Sequence, residues 1–293
     1  MLRKIERYAD KYEMLPESGG SAALGLSGGA DSMCLLDVLL RLGRERGFTV
    51  TALHYNHKLR GEASDSDERF AAGYCAERGI ELISGSAPPL ERVTEDALRT
   101  LRYEFFAASG FSRIALAHHA DDNAENYLMR LKGIPPTRGS FVRPLLCVTR
   151  AEIVRYNEKY FVPNIEDESN ADTVYTRNRV RSEIMPLIRE INPQFAKAVH
   201  GKTERERSDE SFLRSLAEAY LAENSRKALA GLHAALLSRV LLMKGEALGI
   251  ALRREQIDGA AELIKNGAAV WELSLTGKIC IKCKFDSLTW VRT

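Results

Sequence analysis

The feature that most limits what this chain can fold into is the hexapeptide Ser27-Gly28-Gly29-Ala30-Asp31-Ser32. It sits where an apolar stretch of strand character (22–26) gives way to an apolar stretch of helical length, from about residue 31 toward 46. A strand that becomes a helix within six residues closes one end of a βα unit. Two glycines let the backbone pass close to a ligand, and the first amides of the helix lack intrahelical partners, so such a turn holds anions. Ser27 and Ser32 add hydroxyls at its rims. Asp31 is the odd member, because a carboxylate repels phosphate unless a divalent cation lies between them. A metal-bridged polyphosphate with the cation at Asp31 is therefore implied. The loop has neither the lysine of G-x-x-x-x-G-K-S/T nor the spacing of G-x-G-x-x-G. A Ser/Gly-rich turn that merely caps a helix would use the same residue types.

The alternation continues through the first half. Residues 48–54, 80–84 and 113–117 read as strands, and 64–78, 94–109 and 121–131 as helices. This predicts an α/β fold: an open parallel sheet with helices on both faces and ligands at the strand C-terminal ends. The hexapeptide, residues 54–60 and residues 118–122 all fall at such ends and are expected to meet in one crevice. From about residue 149 helices follow one another, over 149–160, 174–189, 192–207, 209–224, 229–247 and 254–266. The tail, 270–275, 278–285 and 287–291, reads as short antiparallel strands, so a helical domain with a short β-rich end is expected. The chain of 293 residues, 45% hydrophobic, is long enough for two domains, placed at 1–190 and 191–293.

Net charge is +2 and the pI is near 8.2, so any nucleic-acid surface must be local. Residues 177–207 carry eight Lys or Arg against four Glu, a basic stretch or a solvated helical face. The five cysteines, Cys34, Cys75, Cys147, Cys280 and Cys283, are odd in number and scattered, which points to a reducing compartment. Leu2, Ile5, Tyr8 and Tyr12 have the spacing of an amphipathic helix and not of a secretory segment. No run reaches the length of a membrane span. A cytoplasmic protein with no membrane partner is expected.

Two segments carry further chemistry. His118-His119-Ala120-Asp121-Asp122-Asn123-Ala124-Glu125 sets two imidazoles and three carboxylates at a strand-to-helix junction, with Asp121 and Glu125 on one helical face. A two-metal hydrolytic centre would draw ligands from several separated segments, and there is no second such cluster. His54-Tyr55-Asn56-His57-Lys58-Leu59-Arg60-Gly61-Glu62 follows the second strand, where an open α/β sheet holds an adenosine or a substrate loop, and Arg60 is available for phosphate or carboxylate.

S-G-G-x-D-S resembles the pyrophosphate loop of the N-type ATP pyrophosphatases, the PP-loop ATPases with an adenine nucleotide alpha hydrolase-like fold. With the later motifs the likeness narrows to the tRNA(Ile)-lysidine synthetase family: H-Y-N-H-K-L-R-G-E, then L-R-Y-E-F-F at 101–106, H-H-A-D-D-N-A-E, R-P-L-L at 143–146, and D-E-S-N-A-D with Y-T-R-N-R-V-R over 167–181. The resemblance covers residues 20–195. It implies that ATP adenylates O2 of the wobble cytidine in the CAU anticodon of tRNA(Ile), and that the amine of free L-lysine then displaces AMP. ATP and Mg2+ are the implied cofactors. Ser27, Gly28, Gly29, Ala30, Asp31, Ser32, His54 and Arg102 would bind the nucleotide, with Asp31 at the metal. Arg60, His119, Arg143, Asp172, Arg177, Asn178 and Arg181 would bind substrate. Asp31, Asp121, Asp122 and Glu125 would be catalytic, since a lysine amine of pKa about 10.4 needs a carboxylate to attract it and take its proton.

The chain departs from the family pattern in Asn123 and Asn126, which replace Gln and Thr. It departs also in short stretches at 83–94 and 131–143, and in ending at Thr293 without a further C-terminal domain. A homodimer is compatible with this reading. Two rivals stay open: another pyrophosphate-loop enzyme such as a tRNA thiolase, which needs reactive cysteines at the crevice, and a module that binds ATP without chemistry.

Overall fold

Strand β1 (Ser21–Gly25) is buried on both faces at Ala22, Ala23 and Leu24, as a strand in the middle of a parallel sheet must be. It pairs in parallel with β2 (Thr49–Asn56), which pairs in parallel with β3 (Glu81–Ser86). On its other side β1 pairs with β4 (Ile114–Ala115). The computed structural model describes residues 1–59, 61–88, 94–165, 176–275 and 279–292, without the side chains of Glu95 and Arg177. It divides into two units, Met1–Thr203 and Glu204–Thr293.

The sheet of the first unit has the order β3-β2-β1-β4-β6-β5. The hairpin of β5 (Thr137–Arg138) and β6 (Phe141–Val142) was not expected from the sequence: each strand has two residues, too few for a period to show, and Gly139 turns the chain at φ +58°. Strand β6 is parallel to β4 and β5 is antiparallel to β6, so only this edge departs from a parallel sheet. Helices cover both faces. Leu24 and Ala52 pack among residues of α1 (Leu2–Lys11), α2 (Ala30–Arg46), α3 (Glu62–Glu77) and α6 (Arg150–Tyr160), while their neighbours Ala23 and Leu53 pack on Phe106 of α4 (Glu95–Ala108). Helix α5 (Ala120–Arg130) buries Ala120 and Ala124 against Val180, Met185, Ala196 and Val199.

Three helical expectations change. Residues 192–207 and 209–224 form one helix, α9 (Phe195–Glu218), because no Gly or Pro breaks the chain at 208–209. Residues 229–247 divide into α10 (Arg226–Ala230) and α11 (Ala234–Ala247); Gly231 ends the first, and His233 caps the second by accepting from the Ala235 N–H. The described part of 174–189 is α7 (Thr176–Arg179), a π-helical turn at Val180–Ile184 and α8 (Met185–Ile191). Pro186 has no N–H to give to an α-helical ladder, and the turn before it widens.

In the second unit, α12 (Arg254–Asn266) and the antiparallel strands β7 (Val270–Ser274), β8 (Ile279–Lys284) and β9 (Ser287–Arg292) share a core that includes Leu237, Leu241, Ile264, Ile281 and Leu288. No helix of the described residues is long and apolar enough to cross a membrane.

Two glycines of the first unit separate packing from propensity. In α2, a Cβ on Gly43 would lie 2.6 Å from the carbonyl oxygen of Phe48, a backbone atom fixed by the Gly47 turn. In α3, Gly73 is exposed with nothing within 4 Å. Gly73→Ala should stabilise by about 0.5–1 kcal/mol, whereas Gly43→Ala should destabilise by about 1–3 kcal/mol despite the same gain in helix propensity. Urea unfolding of the two variants measures both, and equal stabilisation would refute the steric account of Gly43.

Candidate active site

Gly28 has φ +86°, and a Cβ there would stand 2.8 Å from Cδ1 of Ile165, so the loop needs glycine for both conformation and space. The Ile165 N–H donates to the Gly28 carbonyl at 3.1 Å and its backbone bridges to Gly29. Inside the loop, Ser32 Oγ donates to the Gly29 carbonyl at 2.9 Å and accepts from the Ser27 N–H at 3.2 Å, while Ser27 Oγ lies 3.1 Å from Ser32 Oγ. Helix α2 begins at Ala30 with no side-chain cap, which leaves its first-turn N–H groups for an anion.

Asp31 does not stand alone at this helix start. Its Oδ1 pairs with the Arg150 guanidinium, and its Oδ2 lies 3.6 Å from His119 Nε2. Burial pushes the Asp31 carboxyl up, but His119 and Arg150 more than reverse this and hold it below its usual value. Arg150 opens α6, after a capping box of Thr149 and Glu152. The same helix sends Asn157 Nδ2 to the Ala30 carbonyl at 2.9 Å and Tyr156 OH to Asp37 at 2.6 Å, so it grips the start of α2 at three points. Tyr156 is thereby buried and Phe161 exposed.

His119 precedes α5, and its N–H donates to Asp122 Oδ2 at 2.9 Å. Its ring lies among three carboxylates, with Nε2 3.5 Å from Asp122 and Nδ1 3.7 Å from Asp121, besides Asp31. Burial alone would lower this imidazole. Asp122, Asp31 and Asp121 outweigh burial and raise it to about 9, which favours the charged ring over the long contact of Nδ1 with the Asp122 N–H at 3.4 Å.

The remaining acids are matched by arginines. Glu125 takes Arg181 Nε and Nη2 at 2.8 and 3.0 Å, and the same Nη2 reaches Asp122 Oδ1 at 2.9 Å. Asp121 accepts from the Arg150 N–H at 2.8 Å and from Arg189 Nη2 at 3.0 Å. Asp122 and Glu125, three residues apart, thus share the Arg181 guanidinium. Arg181 lies on the π-helical turn, a wide turn of the kind common at functional sites. Asn123 joins α5 to Thr203 at 3.2 Å and to the Ile134 N–H at 2.7 Å, and Asn126 donates to the Lys132 carbonyl.

The other sequence-derived residues lie around this centre as follows. His54 Nδ1 is 2.9 Å from the Leu26 carbonyl, tying β2 to the entry of the loop. Arg102 of α4 is 6.0 Å from the Tyr103 ring and near His57, whose imidazole burial, then Arg102 and His54, push down to about 4. Arg143, following β6, is buried; its Nη1 donates to the Pro135 carbonyl at 3.0 Å and its Nε has no partner. Asn178 lies in α7, where its carbonyl accepts from Ser182. Arg60, Asp172 and the Arg177 side chain lie outside the described residues.

Sequence reasoning missed Arg150 and Arg189. For Arg150 a signal existed: a cation in the first turn of a helix opposes the macrodipole and needs another reason to be there. In the basic stretch, Arg179, Arg181, Arg189 and Arg207 each meet an acid. Among the described residues no group of three or more His, Cys, Asp or Glu is arranged to hold a metal ion. Asp31 alone is suited to Mg2+, since that ion is bound through one or two carboxylates with phosphate oxygens and water completing its shell. Its side chain is 31% exposed at the rim of the loop, which fits.

The chain is 36% identical over 246 residues to the tRNA(Ile)-lysidine synthase of Oceanobacillus iheyensis, covering 76% of this chain and 53% of that protein. It is 37% identical over 242 residues to the tRNA(Ile)-lysidine synthase of Geobacter sulfurreducens, covering 75% and 51%. It thus spans about half the length of the curated relatives it matches. Among solved structures, U34-tRNA thiolase NcsA from Methanococcus maripaludis with its 4Fe-4S cluster has a TM-score of 0.57 at 16% identity, over 70% of this chain and 76% of that one, a likeness of fold. A family model described as PP-loop domain matches residues 2–188, and the chain belongs to that family.

Proposed function

We propose that the protein is a cytoplasmic tRNA-modifying ligase that joins free L-lysine to C2 of the wobble cytidine in the CAU anticodon of tRNA(Ile), at the expense of ATP. The observation that carries this reading is the contact of the phosphate loop with the acids of α5: Asp31 and Asp122 both reach the His119 ring, at 3.6 and 3.5 Å. Sequence likeness to tRNA(Ile)-lysidine synthases supports the choice of substrate.

In the first step the cytidine O2 attacks the α-phosphorus and pyrophosphate leaves. The loop amides and Ser27 and Ser32 hold the departing phosphates, with Asp31 as the residue for Mg2+, which when bound neutralises charge on the leaving group. Arg150, which pairs with Asp31 at the loop, is a cation available to the phosphates. In the second step the lysine ε-amine attacks C2, the C2–O2 bond breaks, and AMP leaves with that oxygen. Asp121, Asp122 and Glu125 attract the ammonium, and one of them takes its proton. The helical region after residue 190 with its strand tail is assigned to the tRNA, whose loop bases are recognised by stacking and phosphate contacts.

The thiolase alternative would need a reactive thiol by the loop. Cys34 is fully buried, and burial, then Asp31 and Asp37, push its thiol up to about 12, the reverse of an activated thiolate.

Incubation with ATP, lysine and tRNA should release AMP only when all three are present, and mass analysis of the anticodon fragment should show one added lysine. Asp31→Ala and Asp121→Ala should each lower this rate on the order of 10²-fold or more. AMP formed equally without tRNA or lysine would overturn the reading, as would AMP release that depends on a sulfur donor instead.

His119 gives a second expectation. Its folded value of about 9 lies above the unfolded one of about 6.5, so its contribution is complete below pH 6.5 and is lost as pH rises through 9. The decline is on the order of 3 kcal/mol. In urea titrations His119→Gln should flatten the stability profile between those limits, and an unchanged slope would show that the ring is neutral in the folded protein.

A further inference from the structure

Three arginines near Tyr103, Arg99, Arg138 and Arg143, differ from those of the acid cluster in having no carboxylate partner among the described residues. Tyr103 packs on Phe141 with ring centroids 4.8 Å apart, which brings α4 onto the β5–β6 hairpin. Arg99 Nη2 lies 3.4 Å from Tyr103 OH, and its guanidinium is 5.1 Å from the ring. From the hairpin come Arg138 on β5, paired with Phe141, and Arg143 just after β6. Arg143 is only 3% exposed, its Nε is buried without a partner, and its N–H is fixed on the Pro136 carbonyl at 2.9 Å. Arg99 and Arg138 are exposed. Among the described residues none of these three forms an ion pair with a carboxylate.

A buried guanidinium with a free N–H and cationic neighbours is unfavourable without a counter-charge. Burial, and then Arg99 and Arg138, press the Arg143 guanidinium below its usual value against the opposing pull of Tyr103. Guanidinium forks suit oxyanions, and phosphate above all. Arg143 follows β6, which runs parallel to β1 and β4, so Arg143 stands at the strand ends from which the phosphate loop and His119 also arise. The loop already provides for a nucleotide's phosphates. Two exposed arginines within electrostatic reach of a buried one suit one link of a long polyanion.

We infer that Arg99, Arg138 and Arg143 form a site for a backbone phosphate of the RNA substrate. The inference rests on the proposed reading that a tRNA is modified here, and it adds where one of its phosphodiesters docks.

Binding without turnover tests it. With the full chain and a transcribed tRNA(Ile), fluorescence anisotropy over a series of salt concentrations gives the affinity and its salt slope. Arg99→Ala with Arg138→Ala should weaken binding several-fold and reduce the slope by about 1 to 2, while Mg·ATP affinity by calorimetry and the KM for lysine stay unchanged. Arg143→Lys keeps the charge but loses the fork, and should also weaken tRNA binding; its unfolding midpoint, measured alongside, confirms that the variant folds. Unaltered tRNA affinity and slope in the folded variants would overturn the inference. So would a loss confined to Mg·ATP, which would assign the arginines to the nucleotide, or a raised KM for lysine alone, which would assign them to its carboxylate. Because binding is read separately from catalysis, a wild-type chain that binds tRNA through these arginines yet forms no lysidine would sink the function and leave this site standing.

Discussion

The ion pair between Asp31 and Arg150 is the contact on which the arrangement of the centre depends. Asp31 belongs to the phosphate loop, and Arg150 to a helix that also holds the Ala30 carbonyl through Asn157. Through its backbone N–H Arg150 reaches Asp121, so one residue joins the loop to α5. His119 makes the same connection from the other side. Four carboxylates, Asp31, Asp121, Asp122 and Glu125, are met by four cations, Arg150, Arg181, Arg189 and the His119 imidazolium. Groups this buried can stay charged together only because each has such a partner.

The sheet explains why the two halves meet. Its order places β1 between β2 and β4, so the chain leaves β1 toward one side and later returns on the other. A crevice opens at such a switch point, at the C-terminal ends of the strands. The residues after β1 form the phosphate loop, and those after β4 lead to His119. Helix α5 is held from below by Ala120 and Ala124 in a core with Val180, Met185, Ala196 and Val199, which fixes the direction in which its acids point.

The phosphate loop was legible in the sequence because its requirements are local: a positive φ, close backbone approach and an open helix start leave few residue choices. The strands and helices through residue 160 follow from their periods, and their observed bounds differ by only a residue or two at most ends. The arginine partners were not legible. Whether Arg181 or Arg179 turns inward is decided by a π-helical turn before Pro186, which periodicity does not encode. Charge states were hidden for a similar reason, since His119 has its value from three carboxylates on two different elements. The β5–β6 hairpin escaped because two-residue strands carry no pattern.

The two clusters at the strand ends differ in charge balance, and the difference orders the proposed chemistry. Around His119 every acid already has its cation, so a lysine ammonium gains little there until one resident cation is drawn away. On the proposed reading, a triphosphate at the loop competes with Asp31 for Arg150 while that carboxylate goes to Mg2+, so the nucleotide rearranges the pairing at the centre before the amine enters. Arg99, Arg138 and Arg143 have no carboxylate partner among the described residues, and on the inferred reading an arriving phosphate supplies one. On that reading polyanions settle at both clusters before the amine, which enters a centre where the leaving group has already been prepared.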